Sequence, residues 1–154
     1  MDGIAARRAG PADAAAIRDL TRRAYARWVP VIGREPLPMR ADYEKAAAEH
    51  RFDLLEEGGA LVALLETIAH PDHLLIENVA VAPDRQGRGL GRRPMAEAER
   101  IARDAGHAEL RLYTNKMFEY NWRLYLRLGY RIDREEVSDL GTTVYMSKRL
   151  DAAD

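Results

Sequence analysis

The sequence predicts an α/β (α+β) fold in which helices cover both faces of a mixed sheet. The first half of the chain contains short apolar runs separated by turn residues, which is typical of β-hairpins. The second half alternates strand-like and helical patterns, which is typical of strand–helix–strand units. A chain that combines both patterns is not expected to form a purely doubly wound sheet.

An opening strand over residues 3–8 and a long first helix are expected at the start of the chain. Pro11 and Asp13 mark the beginning of that helix. Its apolar face is formed by residues three or four apart: Ile17, Leu20, Ala24 and Trp28. Prolines and a glycine within residues 30–38 end the helix and predict an irregular loop. A second helix is expected over residues 40–50.

Three further strands are predicted before the middle of the chain. Residues 52–56 and 60–67 flank the turn sequence Glu57-Gly58-Gly59, and this pattern is typical of a hairpin. A second turn, His70-Pro71-Asp72, leads to residues 74–81, which form the most strand-like run of the sequence. Pro83 closes this strand because proline cannot donate a ladder hydrogen bond.

The remaining elements alternate between helix and strand. A helix follows residues 86–91 and ends at Gly106, and another follows the strand over residues 109–114 and ends at Gly129. Residues 130–137 and 142–148 are expected to be the closing strands.

Composition excludes several classes of protein. The chain has 154 residues, which fits a single domain over residues 1–154. The absence of cysteine excludes disulfides, thiolate metal sites and a cysteine nucleophile. A net charge of −1 provides no basic field for nucleic acid. No apolar run approaches the roughly 20 residues that cross a bilayer, and no secretory signal is recognisable, so a cytoplasmic location is expected.

The segment between the fourth predicted strand and the next helix favours anion binding. Its sequence is Gln86-Gly87-Arg88-Gly89-Leu90-Gly91. Glycines allow close approach of the backbone to a ligand, and the helix that follows presents free N–H groups and the positive end of its dipole. These features suit a phosphate or pyrophosphate. A tight turn with solvated arginines is the alternative. The motifs of P-loop NTPases and of dinucleotide-binding folds do not match this segment.

Two segments carry recognisable motifs. The first is VAVAPDRQGRGLG, residues 79–91, in which Gln86, Gly89 and Gly91 occupy the positions of a Gln/Arg-x-x-Gly-x-Gly/Ala loop after a fourth strand. The second, residues 113–130, contains Thr-Asn, a helix, and the ending Tyr-x-x-Leu-Gly-Tyr. Together they resemble the GNAT superfamily of N-acetyltransferases. The resemblance covers nearly the whole chain.

The resemblance implies a GNAT-like fold and a cofactor. The sheet would be mixed and mostly antiparallel, with about six to seven strands flanked by helices, splayed between the fourth and fifth strands. Acetyl-CoA would be the cosubstrate, with no metal, and its pantetheine arm would pair with the fourth strand. The implied cofactor-binding residues are Val79, Ala80, Val81, Gln86, Gly87, Arg88, Gly89, Leu90, Gly91, Arg92, Asn115, Asn121 and Tyr125.

Two residues are expected to act in catalysis. Tyr125 matches the family tyrosine that protonates the leaving thiolate, with a buried core aromatic as the alternative. Asn121 lies one helical turn earlier and faces the same side. The commonest family pattern has its asparagine at the position of Phe118, so that Asn115 or Asn121 would substitute. Glu77 is the candidate general base. Strand alternation would place it on one face with Leu75 and Val79. The alternatives are an ion pair with an arginine, a water chain as base, or an amine that arrives already neutral.

The resemblance implies that the loop between the first two helices walls the acceptor pocket. Four residues would line it, Tyr25, Trp28, Met39 and Tyr43, while Glu35 or Asp42 would attract an amine. Plain packing of the loop is the alternative. Nothing in the residues identifies the acceptor.

The implied activity is direct transfer of an acetyl group from acetyl-CoA to a primary amine of a small molecule or protein. A catalytically inactive CoA-binding sensor and a scaffold protein are the alternatives. Partners other than the acceptor are not expected to include nucleic acid or membrane, and a homodimer is possible in this family. His70, Asp72 and His73 are too few and too loosely placed for a metal site, so a solvated turn is expected.

Overall fold

The computed structural model describes residues 3–150. They form a seven-stranded sheet in the order β1-β2-β3-β4-β5-β7-β6. All neighbouring strands are antiparallel except β4 and β5, which are parallel. The strands are β1 (Ile4–Arg8), β2 (Arg51–Glu57), β3 (Ala60–Ala69), β4 (Leu74–Val81), β5 (Glu109–Asn115), β6 (Arg131–Ser138) and β7 (Gly141–Arg149). The predicted mixed, mostly antiparallel sheet is confirmed.

Helices cover both faces of this sheet, as predicted. They are α1 (Ala14–Tyr25), α2 (Val29–Ile32), α3 (Tyr43–Glu49), α4 (Arg92–Asp104) and α5 (Glu119–Arg127). The apolar face of α1 packs with α3 against β2, β3 and β4 in one buried cluster. A second cluster joins α4 to β3, β4, β5 and β7, and side chains of α5 pack against it. The periodic apolar positions of α1 and α4 therefore face the sheet from opposite sides.

The parallel pair β4–β5 is short. Its paired positions run from Leu74 opposite Leu110 to Ile76 opposite Leu112. Beyond this point β4 remains paired with β3, and β5 remains paired with β7. The two central strands therefore diverge after Ile76, which confirms the predicted splay.

The connection between α1 and α3 is more ordered than the sequence predicts. The first helix ends at Tyr25, a single 3₁₀ turn covers Ala26–Trp28, and α2 then ends at Gly33, whose φ of 75° is left-handed. Another 3₁₀ turn covers Leu37–Arg40. Prolines at the first turns of these short helices do not interrupt them, because a proline nitrogen there needs no hydrogen bond.

The second predicted helix begins later than expected. The expected range was 40–50, whereas α3 begins at Tyr43 after Asp42, whose carboxylate accepts a hydrogen bond from the N–H of Lys45 at 3.2 Å. Asp42 therefore caps the helix and determines where it begins. Within the described residues, no helix is long and apolar enough to cross a membrane.

Candidate active site

The divergence of β4 and β5 opens a cavity of about 250 Å³ between β4 and α5. Its floor is the end of β4, one wall is α5, and the glycine-rich segment forms its far end. The lining residues predicted for the cofactor are Val79, Ala80, Val81, Gln86, Gly87, Gly89, Gly91, Arg92, Asn121 and Tyr125. Elements far apart in the sequence thus converge on one opening.

The glycine-rich segment has the backbone conformation that its sequence suggests. Gly87 and Gly89 have φ angles of 80° and 77°, which side-chain-bearing residues rarely adopt. Leu90 is buried against Leu55 and Val62, so it anchors the segment to the sheet. The segment leads directly into the first turn of α4, which presents the positive end of the helix dipole. The N–H groups of Arg92 and Arg93 donate to the carbonyl oxygens of Gly89 at 3.2 Å and Leu90 at 3.1 Å.

Gln86 fastens the segment to two neighbouring elements. Its side-chain Nε2 donates to the carbonyl oxygens of Val81 at 2.9 Å and Ala24 at 3.3 Å, and its Oε1 accepts from Arg27 at 2.9 Å. These bonds connect the end of β4 to the end of α1. The side chain therefore positions the cavity rim, a role that its place in the sequence motif does not reveal.

A cationic and aromatic rim surrounds the same cavity. The Arg27 guanidinium lies 4.5 Å from the centroid of the Trp28 ring and 5.6 Å from that of Tyr120. Arg92 and Arg127 also line the cavity. Sequence reasoning placed Trp28 in the acceptor pocket and did not identify Arg27, Tyr120 or Arg127. They come together only because the end of α1 lies beside α5.

Tyr125 projects from α5 into the cavity, one helical turn after Asn121. Burial raises the pKa of Tyr125 to about 12. A raised pKa keeps the phenol protonated throughout the neutral range, so the group can donate a hydrogen bond or a proton. Asn121 and Tyr125 share one side of α5, in agreement with their i, i+4 spacing.

A second, larger cavity of about 530 Å³ lies on the side of α1 and α3. Tyr25 lines both cavities, and its hydroxyl donates to Asn78 Oδ1 at 2.9 Å and approaches the Val79 carbonyl at 3.2 Å. Asn78 is buried and also donates to the Tyr43 hydroxyl at 3.3 Å. This network forms the partition between the two cavities at the point where the strands diverge.

Glu77 lines the larger cavity and lies at a bulge in β4. Glu66 is paired with Asn78 and Thr67 with Ile76, so that Glu77 is an extra residue on β4. Ile76 and Val79 consequently pack against the same core cluster although they are three positions apart, a spacing that puts residues on opposite faces of a regular strand. The prediction that Glu77 shares a face with Val79 was wrong, because the bulge interrupts the alternation on which it depended.

Glu77 has a defined hydrogen-bond partner. The hydroxyl of Tyr113, on β5, donates to Glu77 Oε1 at 2.7 Å across the gap between the diverging strands. Burial and the hydrogen bond to this carboxylate raise the pKa of Tyr113. Among the described residues, no arginine forms an ion pair with Glu77, so that alternative is not observed. Glu77 therefore faces the larger cavity at its junction with the smaller one.

A histidine–carboxylate pair lines the same cavity. Glu66 on β3 is 4% exposed, and its Oε2 lies 2.6 Å from Nδ1 of His50, which directly precedes β2. Burial raises the pKa of Glu66, while the hydrogen bond from His50 opposes that change. Sequence reasoning found no partner for His50. The one available signal was a glutamate at the end of the apolar run 61–65.

Several predicted site residues lie elsewhere. Asn115 lines the larger cavity rather than the smaller one, and its Oδ1 accepts from the Met117 N–H at 2.8 Å. Phe118, at the position of the family asparagine, is buried and stacks on Trp28 with centroids 4.6 Å apart. Arg88 is an exposed residue of the glycine-rich segment and does not line the cavity.

The four residues predicted to bind the acceptor separate into different places. Tyr43 lines the larger cavity, Tyr25 lines both cavities and Trp28 lines the smaller one. Met39 is 6% exposed and lies outside the lining residues. Of the two acidic residues considered, Asp42 lines the larger cavity, whereas Glu35 pairs with Arg22 at 3.2 Å.

The turn that contains two histidines is explained by local contacts. His73 Nδ1 lies 2.7 Å from Asp72, and the rings of His70 and His73 stack with centroids 4.6 Å apart. Across residues 3–150 there is no group of three potential metal ligands.

Known proteins share this fold and the motifs. The model of the Acetyltransferase (GNAT) family matches residues 14–130. N-alpha-acetyltransferase 80 of Mus musculus is 38% identical over 80 residues, which are 52% of this chain and 24% of that protein. This chain therefore matches about a quarter of the length of that curated relative.

Solved structures superimpose over almost the whole chain. PaiA N-acetyltransferase from Thermoplasma acidophilum, in complex with coenzyme A, has a TM-score of 0.79 at 18% identity, covering 96% of this chain and 99% of that one. The ribosomal-protein-S18-alanine N-acetyltransferase from Escherichia coli has a TM-score of 0.79 at 20% identity, covering 98% and 96%. These likenesses concern the fold. The family model matches well over half of the chain, so the protein belongs to the acetyltransferase (GNAT) family.

Proposed function

We propose that this protein is an acetyl-CoA-dependent N-acetyltransferase that transfers the acetyl group directly to a primary amine of a small molecule or protein. The observation that carries the proposal is the junction of two cavities at the point where β4 and β5 diverge. One cavity has the glycine-rich anion cradle at its end, and the other contains carboxylates. Acyl donor and acceptor can therefore meet at Tyr25 and Glu77.

The smaller cavity suits the donor. The free edge of β4 beyond Ile76 offers backbone groups that the pantetheine amides can pair with, in the manner of an added strand. The N–H groups around Gly87 and Gly89 and the dipole of α4 would hold the pyrophosphate. The structure of PaiA N-acetyltransferase contains coenzyme A, which supports this assignment.

Acetyl transfer requires stabilisation of two developing charges. A backbone N–H near Val79 would stabilise the carbonyl oxygen as the amine attacks. Tyr125 would protonate the departing thiolate, a role supported by its position in the smaller cavity and by its protonated state at neutral pH. Asn121, on the same side of α5, would orient the donor, whereas Asn115 would face the acceptor.

Glu77 is the proposed base at the reacting nitrogen. It lies at the bulge, faces the acceptor cavity and is held by Tyr113 at 2.7 Å. An amine nitrogen loses a proton as its bond to the acetyl carbon forms, and a carboxylate at this junction can accept it. The presence of both Glu77 and Tyr125 supports an enzyme over a CoA-binding sensor.

Acetyl-CoA binding followed by an amine panel tests this proposal. At 100 times its dissociation constant, a ligand that binds only the folded protein adds about 2.7 kcal/mol of stability, so acetyl-CoA should raise Tm. Release of free thiol is then measured with alkylamines, diamines, amino-acid amides and short peptides. The absence of a shift at saturating acetyl-CoA would contradict cofactor binding, and a shift without thiol release would favour the sensor.

A further inference from the structure

The larger cavity contains a second proton acceptor besides Glu77. His50 Nδ1 lies 2.6 Å from Glu66 Oε2, and both residues line the cavity wall. Glu66 is the buried member, with a side chain 5% exposed, whereas the His50 side chain is 28% exposed. The pair therefore extends from the interior of the sheet toward solvent.

The hydrogen bond determines which nitrogen of His50 is available. When Nδ1–H donates to the Glu66 carboxylate, the lone pair of the neutral ring resides on Nε2, on the opposite side of the imidazole. Glu66 thereby orients His50 so that Nε2 is the nitrogen that can accept a proton.

The chemistry of acetyl transfer requires two protons to leave the acceptor nitrogen. An alkylamine is an ammonium ion at neutral pH, and it must lose one proton before its lone pair can attack. It loses a second proton when the bond to the acetyl carbon forms. One of the two is balanced by the proton that the CoA thiolate takes up, and the other is released to solvent. A carboxylate at Glu77 holds one proton at a time, so a second acceptor in the cavity would let both protons leave without an intervening release from Glu77.

We propose that His50 accepts the first proton, converting the entering ammonium ion to the neutral amine, and that Glu66 is its positioning residue. An N–H bond of the ammonium breaks, its electron pair stays on nitrogen, and the proton passes to Nε2 of His50. The partly exposed imidazolium then releases that proton to solvent. Glu77 takes the second proton at the reacting centre. This inference rests on the proposed acetyltransferase function and assigns that site a second base.

The placement of the pair agrees with this order of events. Glu66 is paired in register with Asn78, the neighbour of Glu77 in sequence, so the two carboxylates lie on adjacent strands at one cavity. The negative charge of Glu77 contributes to the raised pKa of Glu66. The charged and titratable side chains that line the cavity around His50 are Tyr25 from α1, Tyr43, Lys45 and Glu49 from α3, Glu66 from β3, Glu77 from β4, Tyr113 from β5, and Arg34 and Asp42 from the loop before α3.

A pair of amines of similar shape and different basicity tests the role of His50. Ethylamine is an ammonium ion at neutral pH, whereas trifluoroethylamine is largely neutral. General acid–base catalysis contributes about 10²–10⁴-fold. His50→Gln should therefore lower kcat/KM for ethylamine by about 100-fold and for trifluoroethylamine by a far smaller factor. Glu66→Gln should show a smaller loss with the same preference, and its neutral amide avoids a buried charge.

A matched control comes from the other histidine–carboxylate pair. His73→Gln removes the same kind of hydrogen bond, to Asp72 at 2.7 Å, outside both cavities. It should leave kcat/KM for both amines unchanged. Thiol release by the wild type tests acetyl transfer itself. If the wild type releases no thiol with ethylamine and none with trifluoroethylamine, the proposed transfer to simple amines is wrong. If the wild type turns over both amines and His50→Gln lowers both rates equally, or neither, His50 is not the first base.

Discussion

The site contains single polar residues that a sheet core normally excludes. Asn78 is 4% exposed, yet its side chain accepts from Tyr25 and donates to Tyr43 and Thr21. Because each of these groups has a partner, the desolvation cost of burying them is offset. The same contacts fix the partition between the two cavities, so stability and positioning depend on the same residues.

Removal of the Tyr125 hydroxyl should slow turnover with little effect on cofactor binding. Tyr125→Phe keeps the ring but removes the proton donor in the smaller cavity. A loss of about 10²-fold in kcat is expected if this phenol protonates the thiolate, with an acetyl-CoA-induced Tm shift close to that of the wild type. Steady-state kinetics and thermal unfolding measure the two effects.

Tyr130→Phe is the matched control for that substitution. The centroids of the Tyr130 and Tyr125 rings are 6.1 Å apart, and the buried Tyr130 hydroxyl has no hydrogen-bond partner among the described residues. Its removal should not reduce turnover, because an unpaired buried hydroxyl contributes no hydrogen bond to lose. Unchanged kcat in Tyr125→Phe, or an equal loss in both variants, would exclude Tyr125 as the acid.

At the level of elements, a bulge in β4 separates two nearby side chains of the site. An uninterrupted β4 would place Val79 on the same face as Glu77. The extra residue instead turns Val79 toward the core cluster that contains Ile76, while Glu77 lines the larger cavity, and it coincides with the end of the β4–β5 pairing at Ile76. One local irregularity thus lies where the sheet opens and divides these two residues between its faces.

The glycines of the cofactor segment should respond differently to the same substitution. Gly89 has a φ of 77°, so Gly89→Ala is expected to cost about 1–2 kcal/mol in stability and to redirect the N–H groups proposed to hold the pyrophosphate. Gly91 has a φ of −61°, which any residue can adopt, and an added Cβ would lie 3.4 Å from Leu124 Cδ2. Gly91→Ala should therefore be as stable as the wild type.

Urea unfolding and acetyl-CoA titration of both variants measure this difference. Gly89→Ala should lower the free energy of unfolding and weaken acetyl-CoA binding, whereas Gly91→Ala serves as the control for stability. Equal stability of the two variants would show that the left-handed conformation at Gly89 is not required.

For the whole molecule, two adjoining cavities and the absence of cysteine favour a ternary complex. Donor and acceptor would occupy the two cavities and meet at Tyr25, which lines both, so that both can be bound at once. With no cysteine in the 154 residues, no acyl-cysteine intermediate can store the acetyl group.

Initial-rate kinetics with both substrates varied should therefore give intersecting lines in double-reciprocal plots. Product inhibition by coenzyme A, measured against acetyl-CoA and then against the amine, is the accompanying control. A set of parallel lines would indicate a ping-pong reaction and would contradict direct transfer.

The sequence by itself determined the elements and the cofactor motif. Apolar periodicity in α1 and α4, turn residues at Gly58 and Gly59, and the glycine spacing after β4 are local patterns, and local patterns depend on neighbours in the chain. Helix ends were less predictable: α3 begins at its Asp42 cap rather than at residue 40, because capping depends on one side-chain contact.

Only the tertiary structure decided what surrounds the reacting groups. The hydrogen-bonded residues His50 and Glu66 are 16 positions apart in sequence, Tyr113 and Glu77 are 36 apart, and Tyr25 and Asn78 are 53 apart. No periodic signal specifies such pairs, because sheet order and register bring them together. The bulge at Glu77 has the same origin, since it depends on how β3 and β4 pair and not on either strand alone.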